Sequence, residues 1–241
     1  MGLLDFLYPP RCPVCDDLRP AGEPVCHPAC RRLLTPVGEV TCIRCGKPVP
    51  DESVEFCFDC AGRECSFERG VSAYVYEDEI RESMMRFKFH GREEYAEWYA
   101  EELILMQGAK LRDFRADAVV PVPIHGRKLR IRGYNQAEVI ARELADRLDL
   151  PLYANYLRRN RFTAPQKELS NHERIRNLMR AMEPGPQSRR LSAQKKTPRR
   201  VLLVDDIYTT GSTLEACSRV LKTTGAEHIM VASICIGSGY V

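Results

Sequence analysis

Two adjacent carboxylates followed by a turn of hydroxyls and glycine are the side chains of this sequence best suited to chemistry. Asp205 and Asp206 follow the aliphatic run 201–204, and two residues later comes the turn Thr209, Thr210, Gly211, Ser212 and Thr213. A strand that enters such a turn and continues into a helix directs backbone N–H groups and the positive end of the helix dipole at one point, which suits a phosphate monoester. Because two acids would repel a phosphate in contact with them, we expect a ribose in between. Its 5′-phosphate would lie in the turn, and its 2′- and 3′-hydroxyls would reach the acids directly or through hydrated Mg²⁺.

The elements that position this turn are visible in the pattern around it. Residues 201–204 are aliphatic without alternation, as in a strand buried on both faces of a parallel sheet. Ser212 and Glu215 stand at the spacing of a capping box, which predicts the start of a helix. Gly225 is expected to end that helix, and its apolar stripe consists of Leu214, Cys217, Val220 and Leu221. The sequence thus predicts a strand, a phosphate-binding turn and a helix in direct succession.

The whole motif resembles the signature of the type I phosphoribosyltransferases. That family binds phosphoribosyl pyrophosphate (PRPP) through an aliphatic run, two acids and Thr-Thr-Gly-x-Thr, and residues 201–213 match each part. A Walker A loop is a poorer match, because no Gly-Lys-Ser/Thr follows. The alternative is a corner between strand and helix whose threonines only cap the helix.

Eight cysteines near the amino terminus form two sets with metal-ligand spacing. Each set begins with a Cys-x-x-Cys pair, and the metal candidates are Cys12, Cys15, Cys26, Cys30, Cys42, Cys45, Cys57 and Cys60. This number is enough for two tetrahedral Cys₄ zinc sites. The register repeats after thirty residues, so that Cys57 corresponds to His27 rather than to Cys26. Either side chain can bind zinc, and the fourth ligand of the first site therefore has two candidates.

Disulfides are the competing interpretation of so many cysteines. Residues 1–10 have neither the basic region nor the long apolar core of a secretion signal, and no stretch has the length needed to span a bilayer. A cytoplasmic chain keeps its thiols reduced, so we expect a cytoplasmic protein with one or two structural zinc ions. Cys217 and Cys235 stand on apolar patterns and are expected to be small buried hydrophobic residues.

The rest of the chain has an α/β pattern. Its 241 residues exceed one average domain, and we expect a small double zinc ribbon domain at 1–64, stabilised by metal, and a larger domain at 65–241. The predicted strands are 71–76, which alternates like a half-exposed strand, 118–122, 151–156 and 228–236. The predicted helices are 79–106, with a break at His90-Gly91, and 135–148, capped by Asn135. Alternating strands and helices imply a mostly parallel sheet flanked by helices, with the binding crevice at the carboxyl ends of the strands.

The net charge of +3 hides a strong segregation. Residues 119–200 contain 19 Lys and Arg against 7 Asp and Glu, a surplus of +12 that would attract polyphosphate or nucleic acid. Some aromatic side chains interleave with these cations as base-stacking platforms would: Tyr134, Tyr153, Tyr156 and Phe162. The alternative is a solvated surface, and for 183–200, where Pro, Ser, Gln and Lys are frequent, we expect a flexible basic loop.

Over nearly the full chain, the order of short motifs resembles the ComF family, of the ComFC and GntX type. These motifs are the opening 3–15, the paired cysteine knuckles, Phe87-Lys88-Phe-His-Gly91, Val120-Pro-Val-Pro123, Arg132-Gly-Tyr-Asn-Gln136, Gln166-Lys-Glu-Leu169, Arg174 with Asn177, and 205–213. The resemblance implies a double zinc ribbon, a type I phosphoribosyltransferase fold, and a bacterial cytoplasmic protein of natural competence that handles single-stranded DNA during uptake. The family pattern also favours Cys26 over His27, although the gap of three residues before Cys30 exceeds the usual two.

The resemblance assigns roles at the PRPP site. Asp205 and Asp206, as the catalytic pair, would hold the ribose hydroxyls and Mg²⁺, and residues 209–213 would wrap the 5′-phosphate. The pyrophosphate side would use Lys88, whose alternative is a solvated helix position, and the backbone at Pro123, Ile124 and His125.

The basic stretch supplies the nucleic-acid candidates, which are Arg127, Lys128, Arg130, Arg132, Tyr134, Arg158 and Arg161. Three functions remain open. The first is a DNA-uptake factor that binds single strands and PRPP and works beside the uptake machinery. The second is an active phosphoribosyltransferase that transfers ribose 5-phosphate to an unidentified nitrogen acceptor, and the third is an adaptor whose ribbons bind proteins. Because no base-binding hood is recognisable, the sequence supports PRPP binding more strongly than turnover.

Overall fold

The computed structural model describes residues 9–19, 24–161 and 176–238. Its central sheet contains β1 (Arg69–Val75), β2 (Ala118–Pro121), β5 (Arg200–Tyr208) and β6 (His228–Ile236) in the spatial order β1-β6-β5-β2. All three strand pairs are parallel. The two central strands, β5 and β6, are covered on both faces, which explains why neither alternates in polarity. The predicted parallel α/β sheet is confirmed.

Helices connect these strands and cover both faces of the sheet. In chain order they are α1 (Pro28–Arg31), α2 (Phe58–Ala61), α3 (Asp78–Phe89), α4 (Tyr95–Asp113), α5 (Gly126–Arg132), α6 (Gln136–Leu148), α7 (Pro186–Ala193) and α8 (Ser212–Thr223). The predicted break at His90-Gly91 separates α3 from α4, and Gly91 there has a φ of +67°, in the left-handed region that favours glycine. Within the described residues, none of these helices is long and apolar enough to cross a membrane.

A small antiparallel hairpin stands apart from the main sheet. It pairs β3 (Leu157–Arg159) with β4 (Met182–Pro184), and α7 follows it. The structure differs here from the flexible basic loop predicted at 183–200, because α7 is helical and buries Ser188 and Leu191. One buried leucine gives too weak a periodicity to reveal a helix in a stretch this polar.

Two predicted strands also differ from the structure. β1 is buried along nearly all of its length rather than half-exposed. β6 pairs with one of its edges, and residues 35–37, which follow the first ribbon, form backbone hydrogen bonds with Ala73 and Val75 of β1. The predicted strand 151–156 is reduced to a single bridge between Leu152 and Val119. Pro151 has no N–H to extend that ladder.

The two zinc ribbons contribute to opposite layers of the core. The first ribbon places Cys12 and Leu34 with Phe87 on the side of α3, α4 and α6, and the second places its four cysteines with Tyr208 and Leu214 on the side of α8. Neighbouring β5 residues alternate between the two layers. Both ribbons therefore share the hydrophobic core of the sheet, and the domain boundary at 64/65 stays a prediction.

Candidate functional site

The candidate site lies where β5 extends beyond its neighbour β2. β2 pairs with β5 only as far as Pro121 with Val204, whereas β6 stays paired as far as Tyr208. The predicted strand end at Val204 is therefore wrong. Asp205 and Asp206 belong to β5, which β6 supports on one side and which is open on the other. This is the carboxyl end of parallel strands, where ligands of such sheets bind.

A cleft of about 400 Å³ opens at this edge. Its charged lining consists of the two acids and four cations: Asp205, Asp206, Lys88, Lys128, Arg132 and Arg159. The remaining lining residues are Tyr76, Val122, Pro123, Ile124, Asn135, Gln136, Ala137, Ile207, Thr209 and Thr213. Cations and anions thus face the same small volume, which suits a polyanion whose middle part carries hydroxyls.

Lys88 and Asp206 form an ion pair across this cleft. The Lys88 Nζ lies 3.0 Å from the Asp206 Oδ2, and the two side chains are only 14% and 13% exposed. α3 carries Lys88 at its carboxyl end. The position predicted from the resemblance is therefore at the site, and the alternative of a solvated lysine is excluded.

Asp205 stands beside Asp206 but in a different environment. The Asp206 backbone N–H donates to the Asp205 Oδ1 at 2.9 Å. Burial, and after it the charge of Asp206, raises the pKa of Asp205 to about 7. In the ligand-free chain the Asp205 carboxyl therefore keeps its proton to a higher pH than an ordinary aspartate does.

The hydroxyl-rich turn joins this strand to α8. Gly211 precedes the helix with a φ of +72°, a conformation that favours glycine, and the Thr210 and Ser212 hydroxyls lie 2.9 Å apart. Thr209 and Thr213 line the cleft, whereas Gly211 and Ser212 are buried. The first turn of a twelve-residue helix thus borders the cleft beside the acids, as the phosphate-binding interpretation requires.

The capping box predicted at this helix is wrong. Ser212 is the first helical residue, and Gly211 occupies the N-cap position. Glu215 is instead buried, and its carboxylate accepts hydrogen bonds from the backbone N–H and the hydroxyl of Ser66 at 2.8 and 2.9 Å. The spacing between Ser212 and Glu215 would be the same whether Glu215 capped the helix or bound a distant residue. The sequence alone therefore does not distinguish a cap from a tertiary contact.

The segment after β2 forms the opposite wall of the cleft. Pro123 and Ile124 line it, but His125 is absent from the lining. The His125 side chain instead starts α5, where its Nδ1 accepts the Arg127 backbone N–H at 3.1 Å. Asn135 precedes α6 as predicted but makes no side-chain cap, because its Nδ2 donates to the Val122 carbonyl at 3.1 Å.

Two of the four cations in the cleft were predicted as nucleic-acid candidates, and a third was not predicted as a site residue. Lys128 and Arg132 line the cleft together with the acids, and their role in nucleic-acid binding stays a prediction. Burial lowers the pKa of Lys128, and the neighbouring cations Arg159, Arg132 and Lys88 lower it further. Arg159 was not among the predicted site residues, although it lies in a basic run: strand alternation turns Arg159 inward and leaves Arg158 exposed.

The other nucleic-acid candidates lie on the surface, with one exception. Arg127, Arg130, Arg158 and Arg161 are exposed. Tyr134 instead packs edge-on against Phe87, at 5.6 Å between ring centroids, and donates its hydroxyl to the Phe87 carbonyl. Tyr153 and Tyr156 stack on each other at 6.0 Å, and Tyr156 is fully buried. Burial makes Tyr156 unavailable to a base, whereas stacking of bases on the partly buried Tyr134 and Tyr153 stays a prediction. Phe162 lies outside the described residues.

Phe89 is an exposed aromatic that the sequence interpretation overlooked. Its side chain is 50% exposed at the end of α3, and the Arg132 guanidinium lies 5.1 Å from its ring centroid. A cation at that distance from an aromatic face is a cation–π contact. An apolar pattern favours a buried position, so the exposure of Phe89 has no signal in the sequence.

The second set of cysteines forms a closed cluster. The sulfur atoms of Cys42, Cys45, Cys57 and Cys60 all lie within 4.8 Å of one another, and all four residues are buried. All eleven cysteines of the chain fall within the described residues, and none of them is joined in a disulfide. Four convergent thiols match the donor set and geometry of a structural zinc site.

The first cluster contains a histidine where the prediction had a cysteine. It joins Cys12, Cys15, His27 and Cys30, with the Cys15 Sγ 3.4 Å from the His27 Nδ1. Cys26 lies outside this group, because its S–H is directed at the His27 carbonyl at 3.6 Å. The Cys26 Sγ nevertheless lies 4.0 Å from the Cys12 Sγ. The structure groups His27 with the three cysteines, as the thirty-residue register indicates, and the choice of ligand between Cys26 and His27 stays a prediction. A Cys₃His set also binds zinc.

Comparisons with known proteins agree with this geometry. A family model described as a double zinc ribbon domain matches residues 3–61, and one described as a phosphoribosyl transferase domain matches residues 135–239. The chain is 32% identical to Competence protein F of Haemophilus influenzae over 197 residues, which cover 79% of this chain and 82% of that protein. The chain belongs to the ComF family.

Further ComF relatives extend the comparison. DNA utilization protein YhgH of Salmonella typhimurium is 30% identical over 214 residues, covering 88% of each chain. Competence protein ComFC of Bacillus subtilis is 28% identical over 209 residues, which cover 84% of this chain and 80% of that protein. The ribbon match and the two clusters together assign structural zinc to this ComF chain. Some ComF motif residues, which are 3–8, Gln166 to Leu169 and Arg174, lie outside the described residues.

Proposed function

We propose that the protein is a ComF-type factor of DNA uptake that binds single-stranded DNA and PRPP. The three relatives above bear names that refer to competence or to DNA utilization. The observation that carries the PRPP assignment is the cleft in which the Asp205–Asp206 pair, the hydroxyl-rich turn and four cations surround about 400 Å³. We place the protein in the cytoplasm, where zinc-binding thiols stay reduced.

The charge pattern of the cleft supports a ligand with two anionic ends. The turn at 209–213 would receive the 5′-phosphate at the first turn of α8, and the cations opposite would receive the pyrophosphate. The acids would face the ribose hydroxyls between them. Mg²⁺ binds through one or two carboxylates together with substrate phosphates and water, so Asp205 and Asp206 suit it as ligands. On binding, Lys88 would exchange Asp206 for the pyrophosphate.

An exposed basic surface beside the cleft supports the DNA assignment. Arg127 and Arg130 are exposed on α5, and the half-exposed ring of Phe89 stands nearby through its contact with Arg132. Cations that follow a backbone, combined with an aromatic face for stacking, are the usual elements of single-strand binding. Arg158 and Arg161, which are exposed at the hairpin, add further positive charge to the surface.

The salt dependence of DNA binding tests this half of the proposal. A fluorescent single-stranded oligonucleotide should bind the full chain with an affinity that falls by a logarithmic slope of about −0.7 per phosphate neutralised. Mg²⁺ and PRPP, added at saturation, should change that affinity if the cleft and the surface are coupled. No binding at low ionic strength would contradict the DNA assignment.

A second candidate function is phosphoribosyl transfer to a nitrogen acceptor. The four cations that face the acid pair favour it, because they would neutralise a departing pyrophosphate. The C1–O bond to pyrophosphate would break as the C1–N bond forms, the four cations would hold the departing pyrophosphate, and the N–H proton of the acceptor would pass to the pyrophosphate or to water. Asp205 and Asp206 would hold the Mg²⁺ that neutralises further charge on the leaving group. Release of pyrophosphate from PRPP over a panel of nucleobases and amines tests this function, and Asp205→Asn with Asp206→Asn should abolish any release.

A further inference from the structure

The segment 61–66, which we call the bridge segment, passes from the second zinc ribbon beneath the phosphate-binding turn. Within it, the Arg63 Nη2 donates to the Tyr208 hydroxyl at 3.1 Å. A Cβ added at Gly211 would lie 2.2 Å from that hydroxyl and 3.0 Å from the Arg63 Nη2. Arg63 and Tyr208 therefore form the floor on which Gly211 of the turn rests.

The same segment is fixed to the ribbon on its other side. The Arg44 Nη1 donates to the Arg63 carbonyl at 2.7 Å and to the carbonyl of Cys60, a member of the second cysteine cluster, at 3.1 Å. The ribbon also contacts β1 directly: a Cβ added at Gly70, in β1, would lie 2.5 Å from the carbonyl oxygen of Cys45 in the ribbon. The ribbon is thus packed directly on the start of β1.

A third contact joins the bridge segment to the helix that begins at the turn. Ser66 donates through its backbone N–H and its hydroxyl to the buried carboxylate of Glu215, at 2.8 and 2.9 Å. The Glu215 backbone N–H in turn donates to the Gly211 carbonyl at 2.8 Å. The turn is held from below by Arg63 and from its helical side by Ser66.

The Arg63 guanidinium is incompletely satisfied by these contacts. Its Nε and Nη1 are buried, and neither has a hydrogen-bond partner among the described residues. A buried unpaired donor is costly, so a nearby negative charge is needed to hold the group in place. The groups near Arg63 that carry negative charge when deprotonated are Cys65, Cys60 and Asp59. Four thiolates around one Zn²⁺ leave an excess of negative charge, which would supply that compensation.

We infer that Arg63 is a positioning residue that couples the second zinc ribbon to the phosphate-binding turn, so that an intact ribbon is needed for full affinity toward a sugar 5′-phosphate. This inference rests on the proposed function in one respect, because it takes the turn at 209–213 as the 5′-phosphate site. It adds a residue that does not line the cleft and a role for the ribbon in ligand binding.

Two probes separate positioning of the turn from a general contribution to folding. Ribose 5-phosphate contains the 5′-phosphate alone, whereas inorganic pyrophosphate contains only the group expected on the other side of the cleft. Arg63→Ala in the full, zinc-loaded chain should weaken ribose 5-phosphate and PRPP by about tenfold, measured by calorimetry with Mg²⁺, and should leave pyrophosphate within about twofold. Tyr208→Phe removes only the hydroxyl that accepts the Arg63 hydrogen bond. It should also weaken ribose 5-phosphate and PRPP, and it replaces Arg63→Ala in this test if that variant does not fold.

Arg31→Ala is the matched control for loss of an arginine between ribbon and core. Arg31 joins the first ribbon to the buried Glu102 of α4, with Nη2 to Oε1 at 3.1 Å, and it does not touch the turn. The Arg31→Ala variant should bind ribose 5-phosphate, PRPP and pyrophosphate with unchanged affinity. Arg44→Ala tests the ribbon half of the coupling and should weaken ribose 5-phosphate in the same direction as Arg63→Ala, with zinc content measured alongside.

The outcomes are distinguishable. A wild-type chain that binds neither sugar phosphate overturns the proposed function and this inference with it. Wild-type binding with an unchanged Arg63→Ala variant, or equal losses for pyrophosphate and ribose 5-phosphate, overturns the inference alone. A loss in Arg63→Ala without any in Arg44→Ala overturns the coupling to the ribbon.

Discussion

Lys88 and Asp206, more than a hundred residues apart in the chain, form an ion pair 3.0 Å long on the wall of the cleft. Lys88 thereby offsets one of two adjacent acids before any ligand binds. Replacing it affects the two ends of the ligand differently. Lys88→Met should weaken PRPP by about tenfold or more, because a hydrogen bond to a charged group is lost.

Ribose 5-phosphate is the control for Lys88→Met, because it lacks the pyrophosphate that Lys88 is expected to contact. Its affinity should change by less than about threefold in a calorimetric titration. Equal weakening of both ligands would place Lys88 outside the pyrophosphate site.

The raised pKa of Asp205 makes the stability of the ligand-free protein depend on pH. Burial raises the pKa of this carboxyl to about 7 in the folded chain, against about 3.9 when unfolded. Between these values the folded state binds the extra proton, so the contribution of Asp205 to the free energy of unfolding falls as the pH rises from about 4 to about 7. Asp205→Asn should therefore stabilise the protein relative to wild type more at pH 8 than at pH 5.

Urea denaturation of both proteins at the two pH values, without Mg²⁺, measures this difference. Taking the variant minus the wild type cancels the titrating groups that do not interact with Asp205. A difference that is the same at pH 5 and pH 8 would show that Asp205 has an ordinary pKa.

The ligand set of the first metal cluster can be tested by zinc content. His27→Ala removes a member of the cluster and should lower the zinc content by about one ion per chain. Cys26→Ser lies outside the cluster and should leave the zinc content unchanged. Elemental analysis of purified full-length variants gives both numbers, and the reverse pattern would restore Cys26 as the ligand.

The parts of this site that are local in sequence were predictable. The acids, the turn and α8 follow one another along the chain, and the strand and helix patterns predict their order, although β5 continues past Val204 and α8 has no capping box. Contacts between distant segments were not predictable in this way. Glu215 fits a capping box but is bound by Ser66, and Arg159 reaches the cleft only because a separate hairpin folds toward it. Periodicity shows which face of an element is buried but not which neighbour covers it.

The fourth metal ligand shows a different limit. Cys26 and His27 are adjacent, and both residue types bind zinc, so only the local backbone decides which atom joins the cluster. The thirty-residue register favoured His27, and the family pattern favoured Cys26. The cluster in the structure agrees with the internal repetition, because its members have the same spacing as the cysteines of the second cluster.

Removing the exposed arginines of α5 should selectively weaken DNA binding. Arg127→Ala with Arg130→Ala should weaken single-strand binding at low salt and reduce the logarithmic salt slope by about 1.4, since two phosphate contacts are lost. Arg142 is exposed on α6 and pairs with Glu138 at 3.3 Å, so Arg142→Ala removes a similar charge elsewhere and should have little effect. Fluorescence anisotropy at several salt concentrations measures both slopes, and equal slopes for all variants would contradict this surface.

Calorimetric titration of Mg²⁺ with PRPP into the full chain, and into Asp205→Asn with Asp206→Asn, is the most direct measurement of the cleft's role. We predict saturable binding at one site per chain for the wild type and none for the double variant, because both carboxylates are needed at the ribose and its metal ion. A wild-type chain that does not bind, or a double variant that binds equally well, would contradict the assignment of this cleft to PRPP.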